Sequence, residues 1–110
     1  MNQLKIDQLI EIFNTLADDT RLKIILNLTN NELNVTQIHQ KVNDNNNLTL
    51  SAISHQLKQL SNLKLVTSKK IGKNKFFKLS DNFCWCLIKS AQDHIQKKGC
   101  NKCQSIKEKK

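Results

Sequence analysis

Apolar residues recur along the first third of the chain at the three- and four-residue spacing of amphipathic helices. Leu4, Leu9, Ile12, Phe13 and Leu16 make one stripe. Asp18-Asp19-Thr20 then opens a second run in which Leu22, Ile25, Leu26 and Leu28 are apolar. A short third helix is predicted from about Val35 to Val42, with Asn34 as N-cap and Ile38 and Val42 facing inward. The polar run Asn43-Asp44-Asn45-Asn46-Asn47 reads as turn formers within one domain. A fourth helix begins at Thr49 or Leu50 and carries Ile53, Leu57, Leu60 and Leu63.

Beyond Leu65 the period changes. Leu65-Val66-Thr67 and Phe76-Phe77 with Leu79 read as two strands joined at Gly72 to Asn74, a hairpin with a basic tip. A last helix is expected from Ser80 or Asp81, either of which can cap it, to about Lys98, with Gly99 ending it. The lysine-rich end, Lys107 to Lys110, is expected to be disordered. The predicted fold is mainly α with a small β-hairpin, a winged helix-turn-helix. Its domain spans residues 1–98, followed by a Cys/Lys-rich tail at 99–110.

In the fourth helix, SAISHQLKQL, the apolar stripe leaves Ser51, Ser54, His55 and Lys58 on or near the opposite face. Hydroxyl, imidazole and ammonium groups there suit base edges and phosphates in a DNA major groove. Lys69, Lys70, Lys73 and Lys75 of the hairpin are positioned to grip the neighbouring backbone without reading sequence. Taken alone, such a helix is equally a soluble helix with a solvated polar face. The charge changes that balance: 18 Lys+Arg stand against 9 Asp+Glu in 110 residues, a formal charge of +9. This excess favours a polyanionic partner, nucleic acid ahead of an anionic membrane surface. A domain of this length buries only a modest core, so pairing would help it. No apolar run approaches a membrane span and the N-terminus lacks the features of a signal peptide, so the expected location is cytoplasmic.

All four cysteines fall in the last quarter, in FCWCLI and GCNKC. On a helix, Cys84 aligns with Leu87, Ile88, Ala91 and Ile95. Cys86 lies about 200° away, beside Ser90, Asp93 and Lys97, so the two cannot face one core. Cys84 reads as a small buried residue, whereas Cys86 is expected to be more exposed in a lysine-rich setting that favours thiolate. Cys100 and Cys103 form a CxxC. Together with Cys86, or with Cys86 and His94 of the partner subunit, they suggest a soft-metal or arsenite site. Oxidation or persulfide chemistry at these thiols, and a protein without a sensor, are the alternatives.

The segments LADDTRLKIILNL, ELNVTQIHQKV, LSAISHQLKQLSNLKLV and KKIGKNKFFKLSD resemble, in that order, the ArsR/SmtB family of bacterial winged-helix repressors. The resemblance runs from about Leu9 to Lys97, and SHQLKQLSNLKLV looks especially like the zinc-sensing members. It implies a homodimer built from the first and last helices, which sits on an inverted repeat in double-stranded operator DNA until an inducer releases it. It also implies base readout by Ser51, Ser54 and His55, supported by Thr36 and Gln37, while Leu50 departs from a position often polar in relatives. The family's cysteine pair at the third helix is replaced here by Asn34 and Thr36. Of its intersubunit zinc site, Asp81 and His94 match, but Phe83 and Lys97 stand at the other two positions. Residues thirteen apart on one helix are separated by about 20 Å, so such a site must span two subunits. Zinc, cadmium and arsenite are thus the candidate ions. Without a metal, Asp81 would cap the last helix and His94 would be a polar group at the dimer seam.

Arg21, the only arginine, is expected to pair with Asp18 or a carbonyl, and His39 to lie on the exposed side of the third helix without a required role. No nucleophile elbow or phosphate-binding glycine loop is present, and the CxxC follows a helix rather than opening one beside a sheet, so no enzyme is expected. A protein or RNA interaction module using the same fold is the reading outside this class.

Overall fold

The computed structural model describes residues 2–43, 47–81, 83 and 85–96. The helices α1 (Gln3–Leu16), α2 (Asp19–Leu28), α3 (Val35–Val42) and α4 (Leu50–Asn62) precede a wing, and α5 (Cys86–Ile95) follows it. The strands are β1 (Leu33–Asn34), β2 (Val66–Ile71) and β3 (Asn74–Leu79). The chain divides into two compact units, one through Ser80 and one from Asp81. The boundary expected at 98–99 lies outside the described residues.

Each of the first four helices starts where a short polar side chain accepts a backbone N–H that the helix itself leaves unpaired. Asn2 accepts from Lys5, Asp18 Oδ2 from Arg21 at 3.0 Å, and Thr49 Oγ1 from Ala52 at 3.0 Å. At α3 the arrangement is reciprocal: Asn34 Oδ1 accepts from Gln37 N while Gln37 Oε1 accepts from Asn34 N, both at 2.9 Å. Asn34 is therefore the expected N-cap.

The core of the first unit is the meeting of three inward stripes. Ile24, Ile25, Ile38, Ile53, Leu57 and Leu60 are all fully buried, and α2, α3 and α4 pack on one another. α4 closes in a Schellman turn: Leu65 N–H bonds Leu60 O at 3.0 Å and Lys64 N–H bonds Ser61 O at 2.9 Å. This places Lys64 at φ 62°, a conformation that favours glycine.

The wing is a three-stranded antiparallel sheet, β1-β3-β2, rather than the two-stranded hairpin expected. Leu33 and Asn34 pair with Phe77 and Phe76. A two-residue strand carries too little alternation to be seen in a sequence. Gly72, at φ 62°, is the first central residue of the turn, the pattern of a type II′ hairpin.

Two expectations fail in their detail. α5 starts at Cys86, not at Ser80 or Asp81, and Trp85 stands at its N-cap without a side-chain cap. The rings of Phe83 and Trp85 meet at a tilt of 53° with 4.6 Å between centroids, and this aromatic pair occupies the chain ahead of the helix. Asp81 is an exposed turn residue outside α5, and the N-cap position belongs to Trp85 instead. His39, expected to be exposed, is half-buried, with Nε2 2.7 Å from the Leu48 carbonyl. A carbonyl only accepts, so Nε2 carries the proton, and Asn43 Nδ2 at 3.2 Å is a contact rather than a second donor. Asn43 Oδ1 in turn accepts from Leu48 N at 3.1 Å. Both peptide groups of Leu48 are thus held by α3 and its C-cap, which fixes the entry to α4.

Two substitutions at α4 should act in opposite directions in chemical denaturation. Leu57→Ala should destabilise by about 2–5 kcal/mol through the cavity it leaves, and Lys64→Gly should stabilise by up to about 1 kcal/mol by relieving the left-handed turn. His39→Ala should cost about 1 kcal/mol and speed amide hydrogen exchange selectively at residues 48–52.

Candidate nucleic-acid interface

Burial of Ile53, Leu57 and Leu60 decides which way α4 points its other side chains. Ser51, Ser54, His55 and Lys58 follow at i, i+3, i+4 and i+7 on the opposite side, and all four are exposed. Leu50, 48% exposed, adds an apolar group at the first turn. A groove of about 400 Å³ runs between α4 and the wing, lined by Val35, Ser54, Lys58, Ser61, Lys75 and Phe77. Ser54, Lys58 and Lys75, singled out separately in the sequence, meet there.

The sheet register divides the remaining lysines. Lys70 pairs with Lys75 and Ser68 with Phe77, so Lys70 and Lys75 share the face that carries Phe77. The Lys75 ammonium lies 5.4 Å from the centre of the Phe77 ring. Two ammonium groups directly opposite on a ladder repel, costing roughly 0.2–1 kcal/mol. A phosphate between them would turn that repulsion into attraction. Lys69 pairs with Phe76 on the other face, and its ammonium lies 3.4 Å from Glu32. It is therefore directed away from Lys70 and Lys75. Lys73 is an exposed turn residue at the tip. Of the α3 candidates, Thr36 is exposed, whereas Gln37 already spends Oε1 on the capping box and keeps only its amide donors.

Arg21 does not pair its side chain with Asp18, which accepts from the Arg21 backbone instead. The guanidinium crosses from α2 to α4, where Nε donates to Gln56 Oε1 at 2.6 Å and Nη2 donates to Gln59 Oε1. Gln59 Nε2 then lies 3.2 Å from His55 Nε2. Periodicity could not reveal this chain of contacts, because glutamines on a helix flank carry no signature of their partner. Its one legible trace was a lone arginine beside a helix start.

The candidate metal donors do not assemble within one chain's described residues. Cys86 opens α5, half-buried, with Sγ 3.9 Å from Ser90 Oγ. His94 is exposed in the last turn of α5, about 12 Å further along the axis at about 1.5 Å per residue. Asp81 lies outside the helix. Among the described residues no three His, Cys, Asp or Glu side chains are close enough to hold an ion. Cys84, Lys97, Cys100 and Cys103 lie outside the described residues. Also among the described residues, no helix is long and apolar enough to cross a membrane.

Known proteins agree with this architecture. A transcriptional repressor SmtB homolog from Synechocystis is 34% identical over 89 residues, which cover 81% of this chain. The chain spans 64% of that relative's length. Reduced HlyU from Vibrio cholerae superposes with a TM-score of 0.68 at 25% identity, covering 79% of this chain and 87% of its own. A homodimeric winged helix-turn-helix DNA-binding domain from Mycobacterium bovis, of a possible ArsR-family regulator, superposes with a TM-score of 0.71 at 21% identity, covering 87% and 92%. The model of the bacterial regulatory protein, arsR family, matches residues 18–68, the stretch from the cap of α2 into β2. Residues 18–68 thus form a domain of the arsR family of bacterial regulatory proteins.

Proposed function

We propose that the protein is a transcriptional repressor that binds double-stranded operator DNA as a homodimer. The observation that carries this reading is the groove between α4 and the wing, where Ser54, Lys58 and Lys75 converge beside exposed Ser51 and His55. A recognition helix in a major groove needs short polar groups outward and ammonium groups at its flanks, and this surface offers both. The charge of +9 supports the same partner. Support for a homodimer comes from α1, where Leu9, Ile10 and Phe13 are 42%, 49% and 47% exposed. They lie within about 100° of one another around the helix, an apolar strip that a second copy would cover. In α5, Leu87 and Ile95 are likewise exposed, at 42% and 79%. The Mycobacterium bovis domain, itself homodimeric, supports this assignment.

The finer reading is release from DNA by a soft metal or metalloid. Its support is chemical: the half-buried Cys86 thiol, together with Cys100 and Cys103, is a donor set that suits soft ions. Such a site would draw on the tail or on a second copy, since Asp81, Cys86 and His94 do not converge in one chain. Thiol oxidation is the alternative that needs no metal.

Fluorescence anisotropy of labelled duplex from the upstream region, with fully reduced protein, tests both levels. Sequence-selective binding should weaken linearly with log salt, and Lys58→Ala or Lys75→Ala should lower the slope by about 1. Equal affinity for any duplex would defeat the operator reading. Cadmium or arsenite should release the DNA, and Cys86→Ser with Cys103→Ser should abolish that release. Release by oxidant alone would favour the redox alternative. In sedimentation, Phe13→Glu should shift the dimer toward monomer and weaken binding at least ten-fold, as expected from splitting two linked half-sites.

A further inference from the structure

The contacts around Arg21 constrain a hydrogen atom that no base-contact pattern specifies. A guanidinium has only donors. The Gln59 atom facing Arg21 Nη2 must therefore be the carbonyl oxygen, and the atom facing His55 must be the amide nitrogen. That amide nitrogen is itself a donor, so at 3.2 Å the His55 Nε2 receives it through a lone pair. A neutral imidazole with Nε2 as acceptor carries its single proton on Nδ1. The order of groups, from guanidinium to carbonyl, amide and ring nitrogen, allows no other assignment while these contacts hold. Gln56, whose Oε1 accepts from Arg21 Nε at 2.6 Å, engages the neighbouring donor on the same edge of the guanidinium and so fixes its plane.

We propose that Arg21 is a positioning residue: through Gln59 it holds His55 as the Nδ1–H tautomer, so that the recognition helix presents a hydrogen-bond donor to an acceptor atom on DNA. His55 is exposed on the outward side of α4 beside Ser51, Ser54 and Lys58, while Arg21 is half-buried on α2 and touches no base. In the major groove such a donor matches guanine O6 or N7, adenine N7 or thymine O4, and it is mismatched against the amino groups of cytosine and adenine. Lysine could not replace Arg21, because a point charge on a flexible stem cannot orient two amides at once. The role on DNA rests on the repressor reading, but the tautomer is a property of the protein alone.

Two measurements separate these levels. In the 15N-labelled full chain, at a pH where the ring is neutral, long-range 1H–15N correlations should show His55 with its proton on Nδ1. In Arg21→Met and in Gln59→Leu the proton should move wholly or partly to Nε2, with Arg21→Lys failing to restore the wild-type pattern. An Nε2–H ring in the wild type would overturn the proposal and needs no variant to detect. So would an unchanged tautomer in Gln59→Leu, a substitution that leaves Arg21 paired with Gln56. On DNA, both variants should lose roughly five-fold in the ratio of selected-site to scrambled-duplex affinity, the worth of about one hydrogen bond, with scrambled-duplex affinity unchanged. An equal loss on both duplexes would overturn the specificity role. An Nδ1–H ring in a protein that selects no DNA sequence would overturn that role and the repressor reading together, leaving only the structural contact.

Discussion

The constraint on which the proposed DNA-binding surface depends is the burial of one stripe of α4. Ile53, Leu57 and Leu60 are removed from water entirely against α2 and α3, and three such side chains together contribute several kcal/mol at about 1.5–3 kcal/mol each. Rotating α4 by one residue would bring part of that stripe to solvent, so the helix has one orientation. The outward direction of Ser51, Ser54, His55 and Lys58 is thus set by residues that could never touch DNA.

Other contacts refine the same surface. His39 and Asn43 hold the peptide groups of Leu48 just before α4 begins, so Leu48 leads into the helix from a fixed point. Lys64 accepts an unfavourable φ so that Leu65 can follow Leu60 into the core and deliver the chain to β2. The pairing of Lys70 with Lys75 leaves a repulsive pair on the face that carries Phe77, whereas Lys69 is drawn toward Glu32. The wing therefore presents its positive charge unevenly, with Lys75 beside the groove.

The four helices of the first unit were legible because each carries apolar residues at helical spacing. Of their caps, Asn34 was assigned from its neighbours alone, whereas Asn2 and Asp18 emerged only in the structure. What escaped was non-local or was decided by competition. β1 exists only because β3 offers Leu33 and Asn34 a partner. The start of α5 was misplaced because Asp81 is a good cap in isolation, whereas the helix begins only at Cys86, after the tilted pair Phe83 and Trp85. Arg21 was read against its sequence neighbour Asp18, but its guanidinium is satisfied 35 and 38 residues away, on Gln56 and Gln59. Of the candidate site, the exposure of Ser51, Ser54, His55 and Lys58 on α4 was legible, whereas the link from His55 through Gln59 to Arg21 was not. The division of the lysines between two faces of the wing needed the register.

The central claim is that this surface of the first unit is where DNA sits. The most direct measurement is a backbone amide chemical-shift titration of the 15N-labelled chain with a duplex carrying its upstream inverted repeat. The account predicts the largest perturbations at residues 50–58 of α4 and 70–75 of the wing, with small ones across the buried stripe. Perturbations concentrated on α1 or α5, with α4 unmoved at saturating DNA, would contradict it.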